Sequence, residues 1–195
     1  MEAHTIHRIG AYFIDMIIIS FIASLLTFWI PTSESYNEAV KKSNELIDKM
    51  FDEDQDFNKY YDETMKIRYT LDKETMIPTL IQSVLIVGYF ATFAYYNNGQ
   101  TFGKKLLKIK IAPSDDEELN HLRLIGRAVL VEGVLSSILS VIFLLFIKYK
   151  QYAITVGVIS IVQIIFTIVC LIMVINRSDK RGLHDIIFRT KVIKE

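Results

Sequence analysis

The sequence predicts an all-α membrane protein with four transmembrane helices, a helical insertion outside the membrane and a short pair of strands on the cytoplasmic side. Hydrophobic residues make up 51% of the 195 residues, and the mean hydropathy of +0.31 is high for a water-soluble chain. Four stretches of 20 to 24 mostly apolar residues are each long enough to cross the hydrocarbon core, which takes about 20 residues of helix.

The four apolar stretches contain only two charged residues, Asp15 and Glu132. A backbone amide left unpaired in lipid costs several kcal/mol, and the stretches lack the strict alternation of barrel strands. They are therefore predicted to be helices. Their ranges are 9–30, 76–96, 128–147 and 152–175.

Lysine and arginine near the helix ends predict the orientation, because cytoplasmic loops carry an excess of these residues. With the N-terminus inside, the inner segments 1–8, 97–127 and 176–195 hold 13 of the 22 basic residues. We therefore expect a multi-pass protein of the cell membrane with both termini in the cytoplasm.

The insertion over 31–77 is acidic and is expected to lie outside the membrane, as a helical hairpin on the mouth of the bundle. Ser35 and Glu38 have the spacing of a capping box, which predicts a helix start there, and a second helix is predicted over 63–71. The insertion is predicted to be a solvated cap, since charge runs are usually solvated.

A weak calcium candidate lies between these two helices. Its carboxylates have the spacing of EF-hand positions 1, 3, 5 and 12, but Phe57 stands where the sharp turn requires glycine. An acidic turn between helices is thus the favoured interpretation, and no other metal or cofactor is expected. The four candidate ligands are Asp52, Asp54, Asp56 and Glu63.

Two short segments near the cytoplasmic face alternate between apolar and polar residues, over 107–111 and 188–193. This alternation is typical of strands and predicts that the two segments pair. An isolated two-stranded pair is marginal in water, so we expect it to pack on the membrane side of the protein.

The two intramembrane acids are the main candidates for function. A charged side chain in a membrane segment costs about 2.5 to 3.5 kcal/mol on insertion scales and so indicates a functional role. Asp15 and Glu132 lie at similar depth above the inner ends of their helices. Two acids in a dry site need a shared proton or a cation, which predicts binding of protons or monovalent cations there.

Basic and acidic residues near the inner face are the expected charge partners of these acids. They are Arg8, Arg127, His184 and Asp185. A purely structural alternative is a clamp in which Arg8 binds Asp185 and ties the C-terminal segment to the first helix.

This pattern resembles the RDD family of small bacterial and archaeal membrane proteins, named for one arginine and two aspartates. Arg8, Asp15 and Asp185 stand in the family's order, and the segment 99–107 is similar to the family's Gly-Gln-Thr-x-Gly-Lys motif. The resemblance implies a transport role, since sodium–proton exchange is attributed to some members. The motif residues carried over are Gly99, Gln100, Thr101, Gly103 and Lys104.

Two functions remain open from the sequence. The first is a secondary transporter that exchanges protons for monovalent cations through Asp15 and Glu132, expected to act as a homo-oligomer because four helices enclose little interior. The second is a non-transporting protein that docks on and regulates another membrane protein, through small-residue faces such as 136–140. An enzyme is not expected, because the histidines lack a metal-spaced or nucleophile–base pattern. A net charge of zero offers no basis for nucleic-acid binding.

Overall fold

The computed structural model describes residues 2–48, 56–115 and 117–195 and is mostly helical. In chain order the elements are α1 (Thr5–Thr27), α2 (Glu34–Asp48), α3 (Phe57–Glu74), α4 (Met76–Tyr96), α5 (Phe102–Leu106), β1 (Ile109–Pro113), α6 (His121–Val131), α7 (Val134–Phe146), α8 (Tyr149–Asn176), α9 (Leu183–Ile187) and β2 (Thr190–Lys194).

Three helices, α1, α4 and α8, are long and apolar enough to cross a membrane, with 23, 21 and 28 residues. Each connects two ends of the bundle. We call the end that carries α2 and α3 the cap end, and the end that carries both strands the sheet end. Several apolar helices of membrane-spanning length are therefore confirmed, and α4 has the bounds that its apolar run predicts.

The apolar stretch 128–147, predicted as one helix, is instead broken. Helices α6 and α7 meet at an angle of 66°, with Glu132 and Gly133 between them. Gly133 has a φ of +72°, a left-handed conformation that a right-handed helix does not continue through. With 13 residues, α7 spans about 20 Å, which is shorter than the hydrocarbon core. The pair forms a fourth span only if both halves are counted together.

The insertion forms two helices, α2 and α3, that pack on each other, while α3 also packs on α7 and α8. The capping residue of α2 is Ser33, not Ser35: the Ser33 hydroxyl accepts from the backbone N–H of Tyr36 and donates to Glu74. Helix α2 thus starts two residues earlier than the capping-box spacing predicts, and Ser33 also bonds to the end of α3.

The calcium candidate lies only partly within the described residues. Asp52 and Asp54 fall outside them. The carboxylate of Asp56 caps α3, accepting from the backbone N–H groups of Asn58 at 2.9 Å and Lys59 at 3.4 Å. Glu63 lies in α3, beside the groove between α2 and α3.

The predicted strand pair is confirmed, with β1 beginning two residues later than the alternation predicts. The strands are antiparallel, and Ile111 of β1 lies opposite Val192 of β2. Ile109, Ile111 and Val192 are buried in the same core as α1, α4 and α6. This packing explains why a two-stranded sheet is stable here, since it would be marginal alone.

Candidate functional site

Asp15 is fully buried in α1, and its carboxylate is held by donors from two other elements. Oδ1 accepts hydrogen bonds from the Tyr89 hydroxyl at 2.6 Å and from the Gly103 backbone N–H at 2.7 Å. Oδ2 accepts from the Thr101 hydroxyl at 2.5 Å and lies 3.7 Å from the Lys104 ammonium. We call these five residues the Asp15 cage. The cage therefore fixes the Asp15 carboxylate between α1, α4 and the segment that leads into α5.

The local backbone explains how these donors reach Asp15. Tyr89 lies in a π-helical turn of α4, over Gly88–Phe93. Gly103 lies in the first turn of α5, where backbone N–H groups lack helical partners. A Cβ atom at position 103 would overlap the carbonyl oxygen of Ala11 and lie 2.9 Å from Asp15 Oδ1, so the close approach to α1 requires glycine.

Replacing Tyr89 by phenylalanine is expected to lower the free energy of unfolding by about 1.5 to 3 kcal/mol, the usual value for a hydrogen bond to a charged group. The hydroxyl donates to Asp15 and also accepts from the Phe102 backbone N–H at 3.1 Å, so both groups lose a partner. Chemical unfolding in detergent micelles measures the change. Tyr96→Phe is the control, since Tyr96 is 80% exposed. Equal effects of the two substitutions would contradict the role of the Tyr89 hydroxyl.

Asp185 is the second fully buried carboxylate, and cationic side chains surround it. Arg8 Nη2 donates to Oδ2 at 2.6 Å, Arg127 Nε donates to Oδ1 at 3.1 Å, and the Thr190 hydroxyl donates to Oδ1 at 3.3 Å. His184 Nε2 lies 3.2 Å from Oδ1. We call this group the Asp185 cage. It joins α1, α6, α9 and β2.

The charges in the Asp185 cage determine its protonation. Burial by itself raises the pKa of Asp185, but Arg127, His184 and Arg8 outweigh burial and hold the pKa well below its ordinary value of 3.8. Burial lowers the pKa of His184, and Arg127 lowers it further, although the bond to Asp185 opposes both. The cage therefore holds a carboxylate anion between two guanidinium groups.

The expectation that Arg8, Arg127 and His184 lie around Asp15 and Glu132 is only partly met. Arg8 and Arg127 bind Asp185, and Arg8 also donates to the Lys180 carbonyl oxygen. Seven residues of helix, about 10 Å, separate Arg8 from Asp15, so the Arg8 side chain reaches the C-terminal segment instead. This contact has the geometry of the structural alternative, a clamp in which Arg8 binds Asp185 and ties the C-terminal segment to α1.

Glu132 lies at the break between α6 and α7 and lines a cavity of about 220 Å³ between α1, α6 and α8. Arg8, Tyr12, Lys104, Arg127 and His184 also line this cavity, which is otherwise mostly apolar. We call it the sheet-end cavity. Glu132 Oε2 is buried and has no hydrogen-bond partner among residues 2–48, 56–115 and 117–195.

Lys104 connects the Asp15 cage with the sheet-end cavity. Its ammonium donates to the Thr101 hydroxyl at 3.1 Å and interacts with the charges of Asp15 and Glu132. Burial lowers the pKa of Lys104 to about 8, and the neighbouring Arg127 also lowers it. The structure thus places one buried cation beside Asp15 and in the wall of the cavity that Glu132 also lines.

Comparison with protein families matches residues 3–189, nearly the whole chain, to the RDD family. The chain belongs to the RDD family. Comparisons with curated proteins and with solved structures found no match. Arg8 and Asp185, which the sequence pattern matches to two of the family's naming residues, bind each other in this RDD protein, while Asp15 is the centre of a separate cage.

The Gly-Gln-Thr segment of this RDD protein contacts two parts of the structure, the Asp15 cage and strand β1. Thr101, Gly103 and Lys104 complete the Asp15 cage. Gly99 and Gln100 lie apart from it and support β1: Ile111 donates its backbone N–H to the Gly99 carbonyl, and Gln100 Nε2 donates to the Ile109 carbonyl at 3.1 Å.

Two features of the site were not predicted from the sequence: the role of Tyr89, and the hydrogen bonds between the Gly-Gln-Thr segment and Asp15. One sequence signal was available for Tyr89: a tyrosine within an uncharged apolar helix carries a hydroxyl that needs a partner when buried. For the segment there was no local signal, because a separation of 86 positions between Asp15 and Thr101 says nothing about their distance in space.

Proposed function

We propose that this RDD protein is a secondary transporter of the cell membrane that exchanges protons for monovalent cations, with both termini in the cytoplasm. The observation that carries the proposal is the buried and unpaired Oε2 of Glu132 in the sheet-end cavity. An ionised carboxylate oxygen without a hydrogen-bond partner in a mostly apolar cavity is unfavourable, which favours binding of a proton or a cation there.

Among the two predicted ion-binding acids, Glu132 is the better candidate for exchange. Asp15 accepts three hydrogen bonds from protein groups, and a transported ion would have to displace them. Glu132 has one free oxygen, and the Tyr12 hydroxyl lies beside its carboxylate. We assign Asp15 as the carboxylate that holds Lys104 in place, and Glu132 as the group that is alternately protonated and cation-bound.

In the proposed exchange, the Lys104 ammonium competes with a monovalent cation or a proton for the Glu132 carboxylate. With Glu132 ionised and empty, the Lys104 ammonium compensates its charge. A monovalent cation at Glu132 takes over that role, and Lys104 then relies on Asp15 and Thr101 for partners. A proton on Glu132 has the same effect. The Asp185 cage acts beside this site as a rigid clamp that keeps α1, α6 and the C-terminal segment together.

The transporter is proposed to work as a homo-oligomer, because three long helices and one broken pair enclose little interior. Helix α8 provides a surface for a second copy: only 11% of its most apolar window is buried within the chain. The low burial of α8 within the chain also favours the second candidate function, in which the protein docks on another membrane protein and regulates it. Neither candidate makes the protein an enzyme.

Replacing Glu132 by glutamine is expected to abolish cation-dependent proton flux in proteoliposomes, because an amide neither releases a proton nor binds a cation with full charge. The measurement uses vesicles with an internal pH dye and pulses of sodium, potassium or lithium. Glu118→Gln is the matched control, since Glu118 is an exposed glutamate outside the cavity.

Two results would count against this proposal. Flux that survives in Glu132→Gln would show that the exchanging carboxylate lies elsewhere. An unaltered chain that gives no flux with any of the three cations would favour the docking function, and crosslinking in native membranes would then identify the partner.

A further inference from the structure

A second cavity lies on the other side of the helix break. It has a volume of about 240 Å³ and lies between α4, α7 and α8, with Arg68 and Asp72 of α3 in its wall at the cap end. We call it the hydroxyl cavity, because hydroxyl side chains make up much of its wall. These are Thr79, Ser136, Ser137, Ser140 and Ser160.

The serines at 136–140, considered above as a helix-docking face, thus line a partly open cavity between helices. A polar cavity of this size has room for several water molecules, and hydroxyl groups offer them partners. At its mouth the carboxylate of Asp72 accepts from Arg68 at 2.9 Å and from the Tyr152 hydroxyl at 2.9 Å. The acid is therefore neutralised, and a wall of neutral oxygens suits water and monovalent cations better than divalent ones.

Gln163 of α8 lies between the hydroxyl cavity and the break. Its Oε1 accepts from the Ser136 hydroxyl at 3.0 Å, and its Nε2 donates to the Leu130 carbonyl oxygen at 3.2 Å. Leu130 is in the last turn of α6, where the break deprives carbonyl groups of helical partners. One amide side chain therefore bonds to both sides of the break.

The two cavities come within four residues of each other along the chain. Glu132 lines the sheet-end cavity, and Ser136 lines the hydroxyl cavity. The Ser136–Gln163–Leu130 hydrogen bonds lie between them. A polar side chain in the middle of a long apolar helix is costly in lipid, and such residues mark ion pathways.

We propose that the hydroxyl cavity is the entrance through which water and monovalent cations approach Glu132 from the cap end, and that Gln163 is the positioning residue that closes it. This rests on the proposed exchange at Glu132. It adds a path and a barrier: the ion loses water among the serine hydroxyls, and it passes the break only when Gln163 releases Ser136.

The entrance is tested by cysteine accessibility, which measures no transport. In a Cys170→Ala background, Ser140→Cys is treated in sealed vesicles with a membrane-impermeant thiol reagent. Ser35→Cys in the cap and Lys194→Cys at the sheet end identify the side from which the reagent acts, since both positions are exposed. Ile142→Cys is the matched control on the same helix, because Ile142 is a large exposed apolar residue outside the cavity lining.

Ser140→Cys is expected to react from the same side as Ser35→Cys, about tenfold or more faster than Ile142→Cys, because thiolates do not form readily in apolar surroundings. Reaction no faster than that of Ile142→Cys, or reaction only from the Lys194 side, would overturn the entrance. If Ser140→Cys reacts as expected in a protein that carries no flux, the entrance stands and the exchange function fails.

The barrier is tested with Val131→Cys, which lies in the wall of the sheet-end cavity. From the cap side it is expected to be unreactive, and Gln163→Ala is expected to make it reactive. Its reaction from the sheet side in both backgrounds shows that the variants are folded. A cap-side rate unchanged by Gln163→Ala would overturn the assignment of Gln163.

Discussion

Replacing Asp185 by asparagine is expected to lower the free energy of unfolding by about 3 to 5 kcal/mol, the usual result of removing one partner from a buried ion pair. Arg8 and Arg127 both bind this carboxylate, and their side chains are only 10% and 11% exposed. Without the anion, two guanidinium groups stay in a poorly solvated site with no compensating charge. Circular dichroism during chemical unfolding in detergent micelles measures the change.

The control for this substitution is Asp179→Asn. Asp179 binds Arg177 at 2.8 Å, but the two side chains are 45% and 35% exposed, and exposed pairs contribute about 0 to 1 kcal/mol. A loss in Asp185→Asn as small as that in Asp179→Asn would show that the clamp does not stabilise the fold.

The same carboxylate predicts a pH dependence. The pKa of Asp185 is held well below its ordinary value in the folded state, so its contribution is present at pH values above the unfolded pKa of about 3.9. It is lost as the pH falls below that value, because the unfolded chain then binds the proton first. The stability of the unaltered protein should thus fall more than that of Asp185→Asn between about pH 6 and pH 3.

Replacing Gly103 by alanine is expected to destabilise the protein by about 3 kcal/mol, at the upper end of the usual range for overpacking. The added Cβ would meet the backbone carbonyl of Ala11 and Asp15 Oδ1, and neither is the flexible end of a side chain. To relieve the overlap, α5 must move away from α1, which lengthens the 2.7 Å hydrogen bond from the Gly103 N–H to Asp15. Thermal unfolding in micelles and chemical unfolding both measure the loss.

Gly157→Ala is the matched control for Gly103→Ala. Gly157 lies in α8, and an added Cβ meets nothing within 4 Å in the part of the chain that the structure describes. Alanine in a helix interior is favoured over glycine by about 0.5 to 1 kcal/mol, so a neutral or slightly stabilising effect is expected. If both alanine substitutions had the same effect, the close approach at Gly103 would not be required.

Several parts of the fold follow from the sequence alone. The runs 76–96 and 152–175 correspond to α4 and to most of α8, because a membrane helix needs a long apolar sequence and little else. The strand pair was readable for a similar reason, since alternation over a few residues records which side chains face a core.

The helix break was not predicted. The number of apolar residues in 128–147 hardly depends on any single position, so it does not reveal a break. Gly133 within an apolar run is also compatible with a continuous helix. Its left-handed conformation depends on how α6 and α7 pack on the neighbouring helices. The consequence for the site is large, because the break places Glu132 in one cavity and Ser136 in another.

Composition, hydropathy and charge order were sufficient for the membrane class, the family and the residues of interest, since each of these is recorded locally along the chain. The assignment of partners was different: Asp15 binds a segment that follows α4, while Arg8 binds Asp185 some 177 positions away. Such contacts follow from how helices pack against one another. Only the folded structure therefore decides which buried acid is fully bonded and which, at Glu132, retains a free oxygen.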